Sequence, residues 1–87
     1  MLYMVVERFE DSEAVYARFR ERGRMLPDGL VYHSSWVEQE GERRCFQLME
    51  CDDPALLEQW ADNWRDLTTF EFVPVVTSQQ AAAAHAS

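Results

Sequence analysis

The sequence predicts an α+β domain of ferredoxin-like topology, with a four-stranded antiparallel sheet and two helices on one face. The 87 residues suffice for a single domain. Strand-like and helix-like segments follow one another in the order β-α-β-β-α-β, and right-handed crossovers fold that order into this arrangement. We therefore assign residues 1–77 to one domain and residues 78–87, which carry no core pattern, to a flexible C-terminal tail.

The first half of the chain supplies the clearest helix boundaries. A continuous β-prone run over residues 2–9 predicts the first strand, and Asp11 or Ser12 can accept hydrogen bonds from the first free helix amides. Apolar residues then recur at spacings of three and four, which predicts a helix over residues 12–26. Pro27-Asp28-Gly29 ends this helix.

A hairpin and a second helix follow. Residues 30–38 and 43–51 read as two strands joined by a polar turn around Gly41. Asp53 followed by Pro54 is a strong helix start, and the apolar face behind it continues to residue 67. Residues 68–77 predict the last strand, which Pro74 places at a sheet edge or a bulge.

Composition excludes several classes of function. Sixteen acidic and eight basic residues give a net charge of -8, which disfavours nucleic acid and anionic membranes as partners. No stretch has the roughly 20 apolar residues of a membrane span, so we expect a cytoplasmic protein.

Cys45 and Cys51 lie about 20 Å apart at about 3.3 Å per strand residue, which predicts reduced core thiols. No metal-ligand spacing or glycine-rich phosphate loop occurs, and no cofactor is expected.

The strand pattern predicts a homodimer. In the first strand Leu2, Met4 and Val6 alternate with Tyr3 and Val5, so both sides of the strand are apolar. Two helices can cover only one face of the sheet, and the other face would leave a large exposed apolar patch. Face-to-face packing of two copies with two-fold symmetry buries that patch.

Most of the chain also carries a family resemblance. The stretches MLYMVVERF, RMLPDGL, CFQLMECDDPALLEQW and FEFVPV resemble a small bacterial family of domains of unknown function with the dimeric α/β-barrel fold. The resemblance extends to about Val76 and implies the fold and the dimer, but no established catalytic residues. A more distant architectural similarity links the chain to cofactor-independent monooxygenases, haem-degrading enzymes and stress-response proteins.

Glu7 is the first candidate for a functional residue, because its carboxyl group sits among apolar strand residues, where desolvation raises the pKa. Pairing with an arginine across a subunit interface, or a place at the strand end, would explain it equally. Gln47 lies on the same side if the two strands are neighbours. It either orients a substrate carbonyl or hydroxyl, or satisfies a buried polar group or a dimer contact. Glu50 is expected on the face that the helices cover and could equally be a cleft residue.

His33 is a candidate proton shuttle near neutral pH, although a lone strand histidine is commonly structural. Tyr32 and Trp36, together with Trp60 and Trp64, could line a pocket for a flat aromatic ligand. Trp60 and Trp64 also have the helical spacing of core residues. Four arginines cluster in the later part of the first helix: Arg18, Arg20, Arg22 and Arg24. They either bind an anion or stabilise the carboxyl end of the helix, where positive charge is favourable.

Three functions are compatible with these observations. The first is a dimeric domain that binds or senses a small apolar molecule. The second is a cofactor-independent monooxygenase-like or isomerase-like enzyme in which Glu7 or His33 acts as the base, and this function requires a buried pocket that contains one of those groups. The third is a structural module that contacts another protein.

Overall fold

The computed structural model of the protein describes residues 1–41 and 43–85 and has the predicted element order, followed by a third helix. The elements are strands β1 (Leu2–Phe9), β2 (Val31–Val37), β3 (Cys45–Glu50) and β4 (Thr68–Val75), and helices α1 (Ser12–Arg22), α2 (Ala55–Ala61) and α3 (Ser78–Ala84). The strands form one antiparallel sheet in the order β2-β3-β1-β4. The predicted α+β class and ferredoxin-like topology are confirmed.

The register of the sheet places β1 at its centre, between β3 and β4. Glu7 lies opposite Cys45 on one side and opposite Phe70 on the other. Pro74 lies in β4, an edge strand, as its missing amide hydrogen predicted. In β2 the pairing with β3 shifts between Tyr32 and Ser34, so this edge strand is irregular.

The two faces of the sheet differ in burial. Tyr3 and Val5 are buried, whereas Leu2, Met4 and Val6, which alternate with them along β1, are only half-buried. Helices α1 and α2 pack on the first of these faces, which we call the helix-covered face. The opposite face, which carries Leu2, Met4 and Val6, is called the open face. The core of the domain therefore lies between the sheet and the two helices.

Helix α1 begins as predicted but ends earlier. The Asp11 side chain accepts a hydrogen bond from the amide of Ala14 at 3.1 Å. The helix ends at Arg22 instead of residue 26, because Gly23 adopts a φ of 67° and donates its N–H to the carbonyl of Phe19 at 2.8 Å. A glycine accepts this positive φ without the strain that a Cβ would introduce. Gly23 therefore ends the helix instead of continuing its apolar face.

Helix α2 is short and is followed by tight turns. The Asp53 carboxylate accepts a hydrogen bond from the amide of Ala55 at 3.0 Å, which confirms its place at the helix start. Regular α-helix ends at Ala61, whereas the sequence pattern predicted a helix to residue 67. Turns with i to i+3 hydrogen bonds continue the same path to Leu67 and keep Trp64 buried.

Helix α3 occupies most of the segment predicted as a flexible tail. Thr77 and Gln80 form a reciprocal capping box at its start, and an alanine-rich run with high helix propensity follows. None of its residues is buried, which agrees with the missing core pattern. Residues 86 and 87 lie outside the described residues, and the flexibility of the segment stays a prediction.

Two further expectations concern the cysteines and the membrane. Cys45 and Cys51 are both free and buried, so the prediction of reduced core thiols is confirmed. Among the helices of residues 1–41 and 43–85, none has the length and apolar character needed to cross a membrane.

Candidate ligand-binding site

A cavity of about 200 Å³ lies between the helix-covered face and the two helices that pack on it. Its walls are largely apolar and aromatic. From the helix side they include Val15 and Phe19 of α1 and the indoles of Trp60 and Trp64. Ligand sites in proteins commonly have such apolar walls with a few convergent polar groups.

Two buried polar side chains form the floor of the cavity. Glu7 on β1 is 5% exposed and Gln47 on β3 is 7% exposed. The Nε2 amide of Gln47 donates a short hydrogen bond to the Glu7 carboxyl group. Gln47 Oε1 is buried and has no hydrogen-bond partner among the described residues. The sequence prediction that the two side chains share one side of neighbouring strands is thereby confirmed.

The environment of Glu7 raises the pKa of its carboxyl group, as the sequence predicted. Burial is the largest cause. Hydrogen bonds from Gln47 and Cys45 and the positive charge of Arg24 act in the opposite direction and are smaller. The arginine that acts on Glu7 here belongs to the same chain. A carboxyl group with this balance can hold or release a proton inside an apolar cavity.

Cys45 lines the same cavity beside Glu7. Burial, followed by the charge of Glu7, raises the pKa of its thiol to about 12. A thiol in this environment stays protonated at neutral pH and is a poor nucleophile. Cys45 is therefore a neutral neighbour of the Glu7 carboxyl group.

Arg24 also lines the cavity, and its position is fixed by aromatic side chains. Its backbone carbonyl accepts the indole N–H groups of Trp60 at 2.9 Å and Trp64 at 3.3 Å. The guanidinium carbon lies 3.6 Å from the ring centre of Tyr32 and 5.0 Å from that of Phe19. The sequence placed Arg24 within a helix and gave it no role beside Glu7. It reaches the cavity because α1 ends two residues earlier, which spacing alone could not indicate.

The predicted aromatic residues divide between the two faces. Trp60 and Trp64 line the cavity and are also buried core residues. Tyr32 lies on the helix-covered face, where its hydroxyl is 2.7 Å from the Oγ of Ser35, a residue that lines the cavity. Tyr32 thus supports the wall of the site through Ser35 and Arg24.

Trp36 and His33 lie outside this cavity. Trp36 is opposite Phe46 on the open face and is 54% exposed. His33 Nε2 is 2.9 Å from Glu50 Oε1 in an exposed pair. The prediction that Glu50 lies on the helix-covered face was wrong, because its neighbours Met49 and Cys51 occupy the buried positions. The structure does not bring His33 together with Glu7.

Metal ligands are not grouped in the part of the chain that the structure describes. No set of three or more His, Cys, Asp or Glu side chains there could hold a metal ion. The polar side chains that line the cavity instead offer one carboxyl group, one amide, one thiol, one guanidinium group and the hydroxyls of Tyr16 and Ser35. These groups can form hydrogen bonds and one ion pair with an organic ligand.

Comparison with known proteins gives one result. The family model described as "Domain of unknown function (DUF3303)" matches residues 1–87. No curated protein matches the chain significantly, and no solved structure does so. The match extends over the whole sequence and confirms the resemblance to a family of domains of unknown function. The chain therefore belongs to the DUF3303 family.

Proposed function

We propose that this protein binds a small, largely apolar molecule in the cavity between its helices and its sheet. The cavity itself carries the proposal, because its walls are apolar and a buried polar pair lies at its floor. A core without function normally fills such a space, since protein interiors are closely packed. An unfilled space beside an incompletely hydrogen-bonded glutamine favours an occupant that satisfies both.

The size of the cavity limits that occupant to about one ring with its substituents. An engineered apolar cavity of about 150 Å³ in another protein holds benzene, and the cavity here measures about 200 Å³. Three exposed apolar side chains, Tyr16, Phe19 and Val37, also line it and give the ligand a route from solvent. A flat ring would contact the indoles of Trp60 and Trp64.

We also propose that the protein is a homodimer in which two open faces pack together. Val31, Trp36 and Val73 on that face are 48%, 54% and 36% exposed. With the half-buried Met4 and Leu48 they extend over all four strands. Contiguous apolar surface of this kind marks an interaction site. A second copy of the chain offers the same surface and closes the pair by two-fold symmetry.

A cytoplasmic location belongs to the same proposal. Cys45 and Cys51 are free thiols, and a reducing compartment is where such thiols persist. Expression with a fluorescent tag and fractionation of the cells would test the location. Recovery from a membrane or extracellular fraction would contradict it.

Adjacent serines on β2 provide the test of the binding site. Ser35 lines the cavity, whereas Ser34 is opposite Leu48 on the open face. Substitution Ser35→Leu places extra methyl groups in the cavity, and Ser34→Leu adds the same groups outside it. We expect saturation-transfer NMR to detect phenol on the wild type and on Ser34→Leu, with the signal lost in Ser35→Leu. Equal phenol signals from both variants would place the binding elsewhere.

A cofactor-independent enzyme is the second candidate. The observation that favours it is the position of Glu7, a carboxyl group of raised pKa inside an apolar cavity, as general acids and bases commonly are. Small molecules retained after gentle purification would be identified by mass spectrometry and returned to the protein in air. Conversion to an oxygenated or isomeric product by the wild type, but not by Glu7→Gln, would establish catalysis. Recovery of the unchanged molecule would leave binding as the function.

A further inference from the structure

The contents of the cavity also indicate the chemistry of its ligand. Resting on the proposed binding function, we propose that the ligand is a small ring compound with a hydrogen-bond donor for Gln47 and an anionic group for Arg24. Hydroxylated aromatic acids have this chemistry. The hydrogen-bond donor of the ligand is inferred from Gln47 on β3, and its anionic group is inferred from Arg24, which follows α1. Each group can therefore be tested separately.

Gln47 specifies the donor. Its Nε2 is already committed to the Glu7 carboxyl group, whereas its Oε1 is buried and has no partner among the described residues. A buried acceptor without a hydrogen bond is unfavourable, because it has lost its water. Gln47 lines the cavity, so a hydroxyl or N–H group on a ligand bound beside it would supply the missing hydrogen bond once the amide turns toward the ligand. A ligand with only a methyl group at that point would leave the oxygen unsatisfied.

Arg24 specifies the anion. Arg18 and Arg65 pair with carboxylates of the same chain, whereas Arg24 forms no ion pair with the described residues. Its guanidinium group instead stacks on the Tyr32 ring, and Arg24 is among the residues that line the cavity. A guanidinium group has five N–H donors in a planar fork that matches a carboxylate. Trp60 and Trp64 hold its backbone carbonyl, and the rings of Phe19 and Tyr32 contact its guanidinium group, so Arg24 is held in place beside the cavity.

Burial of Glu7 reduces its opposition to an anionic ligand. It raises the pKa of the carboxyl group and so shifts the balance toward the neutral form, which does not repel a carboxylate. The net charge of -8 belongs to the whole chain, and exposed charges are screened by salt over roughly 10 Å. Arg24 is the basic side chain that lines the cavity, and it offers the attraction for an anionic group there.

The first experiment compares probes on the wild-type protein by isothermal titration calorimetry. The probes are 2-, 3- and 4-hydroxybenzoate, with benzoate, which lacks the hydroxyl donor, and phenol, which lacks the carboxylate. We expect at least one hydroxybenzoate isomer to bind about tenfold or more tightly than both benzoate and phenol, since each bond to a charged or buried partner contributes at this level.

Two variants test which residue contacts the hydroxyl group of the ligand and which contacts its carboxylate. Gln47→Met removes the acceptor and should bring the best hydroxybenzoate and benzoate to equal affinity. Arg24→Met removes the cation and should do the same for that hydroxybenzoate and phenol. Arg22→Met, at an exposed arginine in the last turn of α1, is the matched control and should leave all affinities unchanged. Circular dichroism establishes that each variant is folded. If a variant does not fold, the comparison of probes on the wild-type protein still tests the inferred ligand chemistry.

The outcomes separate the two proposals. If phenol or benzoate binds the wild type as tightly as every hydroxybenzoate, the inferred ligand chemistry is wrong and the binding function stands. If the best hydroxybenzoate still binds more tightly than benzoate and phenol in both Gln47→Met and Arg24→Met, Gln47 and Arg24 do not recognise the hydroxyl and the carboxylate, and the inference is overturned. If no probe binds at all, the proposed function fails together with the inference.

Discussion

Glu7 is the residue on which the chemistry of the cavity depends most. Its carboxyl group is buried among apolar side chains, accepts a hydrogen bond from Gln47 and belongs to the residue opposite Cys45 in the sheet. Burial favours the neutral carboxyl group, and the hydrogen bonds and Arg24 offset only part of that effect. The folded protein therefore binds a proton at Glu7 more readily than the unfolded chain does.

This raised pKa predicts a pH dependence of stability. In the unfolded chain Glu7 titrates near its ordinary value of 4.5, and in the folded protein it titrates at higher pH. The folded state then loses stability as the pH rises from below 4.5 through the pKa of the folded protein. Glu7→Gln removes this loss, so its free energy of unfolding relative to the wild type should increase over that range. Urea denaturation at a series of pH values measures the difference.

Glu10→Gln is the control for this comparison, because Glu10 is exposed at the end of β1. Its free energy of unfolding relative to the wild type should stay nearly constant over the same pH series. A Glu7→Gln difference that is independent of pH would show that the folded and unfolded proteins titrate Glu7 alike. The raised pKa would then be refuted.

Single residues of the site were predictable from sequence to different extents. Glu7 and Gln47 could be placed together because side chains alternate along neighbouring strands. Arg24 could not be, since its position depends on where α1 ends and on hydrogen bonds from two tryptophans distant in sequence. Trp36 has the same residue type as the cavity tryptophans but lies on the other face.

At the level of elements, helix α2 and the turns after it supply the two indoles of the cavity's helix-side wall. Leu57, Trp60, Ala61 and Trp64 are all buried on the side that faces the sheet. Trp60 packs edge-on against Phe70 of β4, with ring centres 5.3 Å apart. Because the indoles contact both the core and the cavity, a loss of packing under α2 should affect stability and ligand binding together.

Adjacent leucines of α2 test its orientation. Leu57 is 1% exposed, whereas Leu56 is half-buried. Truncation of a fully buried leucine costs about 2–5 kcal/mol, because it removes apolar burial and leaves a cavity. Leu57→Ala should therefore lower the free energy of unfolding by about 2–5 kcal/mol and Leu56→Ala by clearly less. Urea denaturation of both variants measures this, and a larger loss for Leu56→Ala would contradict the orientation of α2.

The boundaries of the elements were less predictable than their order. Gly23 continues the apolar spacing of α1, yet its backbone conformation ends the helix. The reverse holds for α3, which has a capping box and alanines but no apolar face to indicate it. Sequence periodicity reports burial, and a helix that buries nothing escapes it.

For the whole molecule, the decisive feature is that both faces of one sheet are apolar. The alternation in β1 predicted this, but it did not indicate which face the helices cover. Glu50 was assigned to the wrong face for that reason. The cavity and the open face are consequently on opposite sides of the sheet, so the proposed ligand binding and the proposed dimerisation would use different surfaces.

The proposed dimer predicts sensitivity to charge on the open face. Leu48→Glu would place a carboxylate at the centre of that face, where a packed partner sheet would desolvate it. Sedimentation velocity should give a dimer for the wild type and a monomer for Leu48→Glu. Gln59→Glu adds the same charge on the exposed side of α2 and should remain dimeric. Val73→Glu on β4 tests the same face if Leu48→Glu does not fold, and a monomeric wild type would overturn the proposal.

The most direct test of the cavity is the response of its tryptophans to phenol. The chain has three tryptophans; Trp60 and Trp64 line the cavity, and Trp36 lies on the open face. In a ¹⁵N–¹H correlation spectrum assigned with single Trp→Phe variants, phenol should shift the indole signals of Trp60 and Trp64 in a saturable way and leave Trp36 unchanged. A shift confined to Trp36, or no saturable shift at all, would contradict ligand binding in the cavity.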